Sequence, residues 1–180
     1  FRSRGQYQAS EGATNCTNCS VGQFRHLEGF SFCVNCTVGQ FQANVGRSGC
    51  GNCSVGEFQN VTGTTACEEC APGQYQDVEG QTVCKPCEAG QFQDRRGRSS
   101  CEECAVGLYQ DGLGVSLCEL CEVGRFQNVS GTSRCTRCPR GEFQEERGSN
   151  SSCVECAVGF YQADTGTSKC TVCEAGRFED

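Results

Sequence analysis

Two cysteines separated by two residues recur along this chain with a period of 17. Ten C-x-x-C pairs begin at Cys16, Cys33, Cys50, Cys67, Cys84, Cys101, Cys118, Cys135, Cys153 and Cys170, and one step, into Cys153, is 18 residues long. So short a period holds one supersecondary unit, which cannot bury an apolar face alone and must stack on its neighbours. The unit reads C-x2-C-x2-G-x-[FY]-Q-x3-G-x-[ST]-x-C. Its first Gly occurs at 11 positions from Gly5 to Gly176 and its second at 10 from Gly12 to Gly166, which uses all but 3 of the 24 glycines.

Gly at a fixed phase marks a backbone position with positive φ or one too crowded for a Cβ, so each repeat contains two forced turns. Between them a segment such as Glu57–Val61 is long enough for one small strand, and Thr64–Cys67 is expected to return antiparallel to it. A lone hairpin of this size is marginal in water and needs clamping and stacking. The aromatic of each unit, for example Phe58 or Tyr75, is expected to pack over a cystine and the next repeat's glycine. Helical periodicity is absent, and the paired glycines forbid a long helix. The predicted fold is therefore small, disulfide-rich and all-β: a linear solenoid of about ten 17-residue Gly/aromatic hairpins laddered by disulfides. A partial repeat at 1–15 precedes a continuous array at 16–173, with the 18-residue repeat at 136–153, and a second partial repeat follows at 174–180.

Three chemistries use C-x-x-C: structural cystines, metal thiolates and thiol redox. Zinc would fold two pairs around one ion, and the 13 residues between Cys19 and Cys33 are within the range of such sites. The pairs are identical in phase, however, their linkers are not zinc-finger helices, and His26 is the only histidine. Redox C-x-x-C needs a helix N-terminus to lower the thiol pKa, and none is predicted. Cystines are favoured. One periodic solution is sequential: Cys19 with Cys33, Cys36 with Cys50, Cys53 with Cys67, Cys70 with Cys84, Cys87 with Cys101, Cys104 with Cys118, Cys121 with Cys135, Cys138 with Cys153 and Cys156 with Cys170. It closes loops of about 15 residues, each contributing roughly 3 kcal/mol through loop entropy, and leaves Cys16 and Cys173 over. The rival solution crosses neighbouring pairs, Cys16 with Cys33 and Cys19 with Cys36 and so on, and uses every cysteine.

The unit, as in Cys67-Glu-Glu-Cys70-Ala-Pro-Gly73-Gln-Tyr75-Gln-Asp-Val-Glu-Gly80-Gln-Thr82-Val-Cys84, resembles the ephrin-receptor-like cysteine-rich repeat. It is also similar to the first loop module of tumour-necrosis-factor-receptor ectodomains. The resemblance spans residues 16–173 and implies an extracellular, elongated, disulfide-laddered protein whose loops close by sequential pairing. Such repeats occur in receptors, adhesion proteins and surface coats, and the strict monotony here departs from the alternating modules of receptors.

Seven N-x-[ST] sequons, at Asn15, Asn18, Asn35, Asn52, Asn60, Asn128 and Asn150, agree with a secretory route, as do dense cystines. Asn18, Asn35 and Asn52 carry Cys at the middle position; Asn60, Asn128 and Asn150 rank as the best acceptors. Catalysis needs unlike residues brought together, whereas this chain repeats a few residues ten times, so no enzyme, cofactor or metal site is expected. Glu68, Glu69, Glu102 and Glu103 read as a solvated face between cysteines, Asp94–Arg98 as a polar tip and His26 as an exposed loop residue. The net charge of -7 disfavours nucleic acid and anionic membranes, and the longest apolar runs are far too short to span a bilayer.

These features point to a secreted or cell-surface structural protein, a stiff glycosylated rod serving as filament subunit, stalk or coat. The alternative is the ligand-binding ectodomain of a receptor or adhesin. Both ends are ordinary repeat sequence rather than caps, and Cys16 and Cys173 lack sequential partners. The expected partner is therefore the chain itself, head-to-tail or lateral in a filament.

Overall fold

The computed structural model describes residues 4–12, 14–29 and 31–174. Among them the backbone forms ten two-stranded antiparallel hairpins and no helix. Hairpin 1 pairs β1 (Gln6–Tyr7) with β2 (Thr17–Asn18), and the pattern runs to hairpin 10, which pairs β19 (Phe160–Tyr161) with β20 (Thr171–Val172). By its contacts the chain divides into two compact units, residues 1–85 with 95–100 and residues 86–94 with 101–180. The first holds hairpins 1 to 4 complete, the second hairpins 6 to 10.

Among the described residues twenty glycines have positive φ, and all are the two glycines of the repeat; Gly49, Gly51 and Gly112, outside the pattern, do not. The returning strand differs from expectation. In hairpin 4, β7 (Glu57–Phe58) pairs with β8 (Glu68–Glu69), the two residues inside the C-x-x-C, and not with Thr64–Cys67. The backbone of that segment is otherwise engaged. Thr64 O accepts the Gln42 amide of hairpin 3 at 3.1 Å, and Ala66 O accepts the Gln59 side chain at 3.0 Å.

In the first unit, Gly22 N donates to Gln42 O of the next hairpin at 2.7 Å, and Gly46 N donates to Cys19 O two hairpins back at 2.8 Å. The second unit repeats these bonds: Gly107 N to Gln127 O at 2.7 Å and Gly131 N to Cys104 O at 2.9 Å. Within each unit these bonds tie a hairpin to the next and to the next but one. Strands of two residues therefore persist although one such ribbon would not.

Nine disulfides follow the sequential pairing, Cys19 to Cys33 through Cys156 to Cys170, with Cα–Cα distances of 5.6–5.8 Å. The later Cys of each C-x-x-C, from Cys19 to Cys138, is wholly buried. The other interior residue is polar. Gln59, Gln76, Gln93, Gln110, Gln127 and Gln144 are all buried, whereas the aromatics before them are only half-buried. The Phe41 ring lies across its own hairpin, where its Cε1 would be 3.4 Å from a Cβ on Gly51. With strands this short, the directly opposite residue is the nearest surface available to the ring.

The Gln works as a clamp. Gln59 Nε2 donates to Ala66 O, and its Oε1 accepts Val61 N at 3.0 Å, so one amide closes both sides of the loop. The 18-residue repeat keeps this device by substitution. Gln144 Nε2 donates to the buried Ser149 hydroxyl at 2.8 Å, while Ser149 O still accepts Gln127 N at 3.0 Å. The extra residue consequently emerges only beyond Ser149, around the exposed Asn150.

Candidate functional surface

Eighteen of the 20 cysteines lie in the nine disulfides, and Cys16 and Cys173 are free thiols. Thiolate ligation by the paired residues is thereby ruled out. Among the described residues no three His, Cys, Asp or Glu side chains converge as a metal site. His26 is exposed and stacks on Phe24 with ring centroids 5.8 Å apart.

The carboxylates between cysteines lie on the returning strands. Glu68 and Glu69 form β8, and Glu102 and Glu103 form β12 (Glu102–Glu103); all four are exposed. Glu103 accepts the Ser130 hydroxyl of hairpin 8 at 2.9 Å, a packing contact rather than an acid–base pair. The basic cluster contributes backbone: Gly97 N donates to Cys70 O at 3.0 Å and Arg98 O accepts Gln76 N at 3.1 Å, with Arg95, Arg96 and Arg98 exposed.

The second unit carries a cleft of about 490 Å³ lined by Tyr109, Asp111, Glu122, Arg125 and Arg134 among others. Tyr109 OH donates to Glu119 at 3.1 Å, and this bond to a carboxylate pushes the phenol above its ordinary pKa. In the first unit, Lys85 Nζ lies 2.6 Å from Asp77 Oδ1 and 5.8 Å from the centre of the Tyr75 ring. The Lys85 hydrogen bond lowers the Asp77 pKa, and that to Asp77 raises the Lys85 pKa.

All seven sequon asparagines are exposed, but their side chains are not equally available. Asn18, Asn35 and Asn52 each accept a hydrogen bond at 2.9 Å from the Gln opposite, Gln6, Gln23 and Gln40. They also lie beside a tip glycine two hairpins on: a Cβ on Gly46 would be 3.2 Å from the Asn18 carboxamide, and one on Gly63 would be 3.1 Å from that of Asn35. Asn60 and Asn128 directly follow their buried Gln, Asn150 follows Ser149, and Asn15 precedes the first C-x-x-C. The amide ladder and the Gln clamp are what residue-type reasoning passes over. The recurrence of Gln after nine of eleven aromatics is the signal that marks the clamp.

The family model described as "Tyrosine-protein kinase ephrin type A/B receptor-like" matches five overlapping stretches, residues 22–70, 56–97, 73–116, 107–152 and 147–180. No curated protein matches the chain.

Proposed function

Because the chain belongs to the ephrin-receptor-like cysteine-rich repeat family, we propose that it works outside the cell as a structural element: a glycosylated filament subunit, stalk or surface coat that contacts further copies of itself. Dense cystines persist in oxidising compartments, and the family is a disulfide-rich module of ectodomains, which supports an extracellular or surface location. One observation carries the structural role. The same Gly-to-Gln backbone bond joins successive hairpins from Gly22 to Gly56 in the first unit and from Gly90 to Gly141 in the second. The buried Gln side chains close their own loops, and backbone groups join one repeat to the next.

Electron microscopy of material from the native source tests this reading. Filaments, stalks or a surface layer containing the chain are the expected result. A chain found only as single molecules held by an unlike protein would refute it and favour a receptor or adhesin ectodomain, the reading to which the Tyr109–Arg134 cleft lends support.

A further inference from the structure

The first residue of each opening strand faces the last residue of its returning strand, and cross-strand partners project from one face of the hairpin. In hairpins 1 to 3 these pairs are Gln with Asn. In hairpins 7 to 10 they change character. Leu108 faces Leu120, Arg125 faces Arg137, Glu142 faces Glu155 and Phe160 faces Val172. The order is apolar, basic, acidic, apolar. Successive members are joined by one repeated step, Gly107 N to Gln127 O, Gly124 N to Gln144 O and Gly141 N to Gln162 O, so the four pairs occupy equivalent positions of successive repeats, a row in sequence order within the second unit.

Two of these pairs place like charges directly opposite each other, which destabilises a hairpin standing alone. Arg125, Arg137, Glu142 and Glu155 make no ion pair among the described residues. Of the flanking apolar groups, Leu120, Phe160 and Val172 stand well into solvent, 51%, 48% and 59% exposed, and Leu108 is half-buried. Read backwards, the row is apolar, acidic, basic, apolar. It is its own complement.

We propose that this row is an isologous contact between two copies of the chain, packed antiparallel about a two-fold axis between hairpins 8 and 9. Arg125 and Arg137 of one copy then meet Glu142 and Glu155 of the other, twice over. The Leu108 and Leu120 pair meets the Phe160 and Val172 pair at both ends. A parallel, in-register contact sets arginine on arginine and is selected against. The self-complementary patch that a two-fold demands is what the order of residues supplies. This inference deepens the structural reading above and rests on it for the premise that copies lie side by side.

Charge reversal tests it on the oxidised, full-length chain by sedimentation equilibrium. The wild type is expected to dimerise, and to do so at least tenfold more weakly as salt rises from about 0.1 to 1 M and the screening length falls from about 10 to 3 Å. Arg125→Glu with Arg137→Glu, and separately Glu142→Arg with Glu155→Arg, should each abolish self-association. Mixed, the two variants should form a heterodimer, and the chain carrying all four changes should dimerise again. Because the mixture restores association from the same proteins, misfolding cannot account for the loss. A monomeric wild type, a dimer indifferent to reversal or variants that ignore each other would each overturn the contact. Microscopy of native material judges the structural role separately, since filaments could be built without this face.

Discussion

A Cβ placed on Gly22 would run into the carbonyl oxygen of Gly63, two hairpins further along the chain. Gly22 also has φ +76°, so an alanine there meets both backbone strain and a neighbour that is itself backbone. Gly141 has φ +79° with nothing within 4 Å of an added Cβ, and Gly49 has open space with no positive φ. The three positions separate the two effects. Gly141→Ala should cost about 1–2 kcal/mol from the left-handed backbone alone. Gly22→Ala should cost clearly more, and Gly49→Ala should be neutral or stabilising by under about 1 kcal/mol. Hydrogen exchange of the flanking amides, compared among the three variants, gives the order; equal effects at Gly22 and Gly141 would show that the close approach carries no energy.

The Gln59 clamp should be equally measurable. Removing its amide by Gln59→Ala deprives Ala66 O and Val61 N of their partners; both residues are exposed, so water can replace the bonds and the loss is about 0.5–1.5 kcal/mol for each. Faster exchange of the Val61 amide, with hairpins outside the neighbouring repeats unaffected, is the expected outcome. Gln59→Glu should keep the acceptor and lose the donor, so its loop should tighten on acidification as the carboxyl gains a proton to offer Ala66 O. An Ala variant with wild-type protection at Val61 would remove the clamp from the account.

The fold was legible wherever one residue type has one use. Positive φ falls on the repeat glycines because little else tolerates it, and the even spacing of cysteines narrowed their closure to two periodic solutions, of which the structure has the sequential one. The returning strand was not legible. At two residues, Glu68–Glu69 is too short for any alternation, and its place inside a C-x-x-C hides it among groups read as cysteine chemistry. The Gln core was missed for a different reason. Polar residues are assigned to the surface by default, and only the geometry shows that Gln59 substitutes its amide for a missing backbone ladder. The same logic explains Ser149, whose hydroxyl takes the place of a carbonyl displaced by the added residue. The cross-strand pairs of hairpins 7 to 10 became visible only with the register, since Arg125 and Arg137 are neighbours through pairing and not through sequence.

Opening a single disulfide should loosen the chain locally. Replacing Cys53 and Cys67 together by Ser releases a loop whose closure contributes about 3 kcal/mol, while bonds to hairpins on either side persist. Exchange should rise across hairpin 4 and its immediate neighbours and leave the second unit unchanged. Full reduction, which removes all nine closures, should abolish the structure by circular dichroism. A reduced chain retaining its spectrum would show that the backbone ladder suffices.

The Lys85–Asp77 pair sets a small pH dependence with a definite sign. Asp77 has its pKa lowered, first by the hydrogen bond from Lys85, so its contribution is present above the ordinary carboxylate range and disappears as pH falls through the folded-state value. Lys85 is shifted upward, so its contribution is present below the ordinary lysine range and disappears as pH rises through its own folded value. Both side chains are about half exposed, at 47% and 48%, so salt should erode the effect. Lys85→Met should return the Asp77 titration toward the ordinary value when followed by carboxyl NMR. An unmoved titration would assign the shift to the Asp77 backbone alone.

Glycan occupancy should divide the sequons by what their amides already do. Asn18 is hydrogen-bonded to Gln6 and packed beside Gly46, and Asn35 and Asn52 repeat that arrangement with Gln23 and Gln40. A sugar on any of these would have to break the amide pair and displace a tip two hairpins away, and the middle Cys of each sequon is buried in a disulfide. Asn60, Asn128 and Asn150 are exposed and carry no such ladder, so at least two of them should be modified in protein from the native source. Peptide mapping after enzymatic deglycosylation reads every site. Sugar on Asn18, Asn35 and Asn52 would mean that glycosylation precedes closure of the amide ladder, and three bare asparagines at 60, 128 and 150 would count against the secretory route itself.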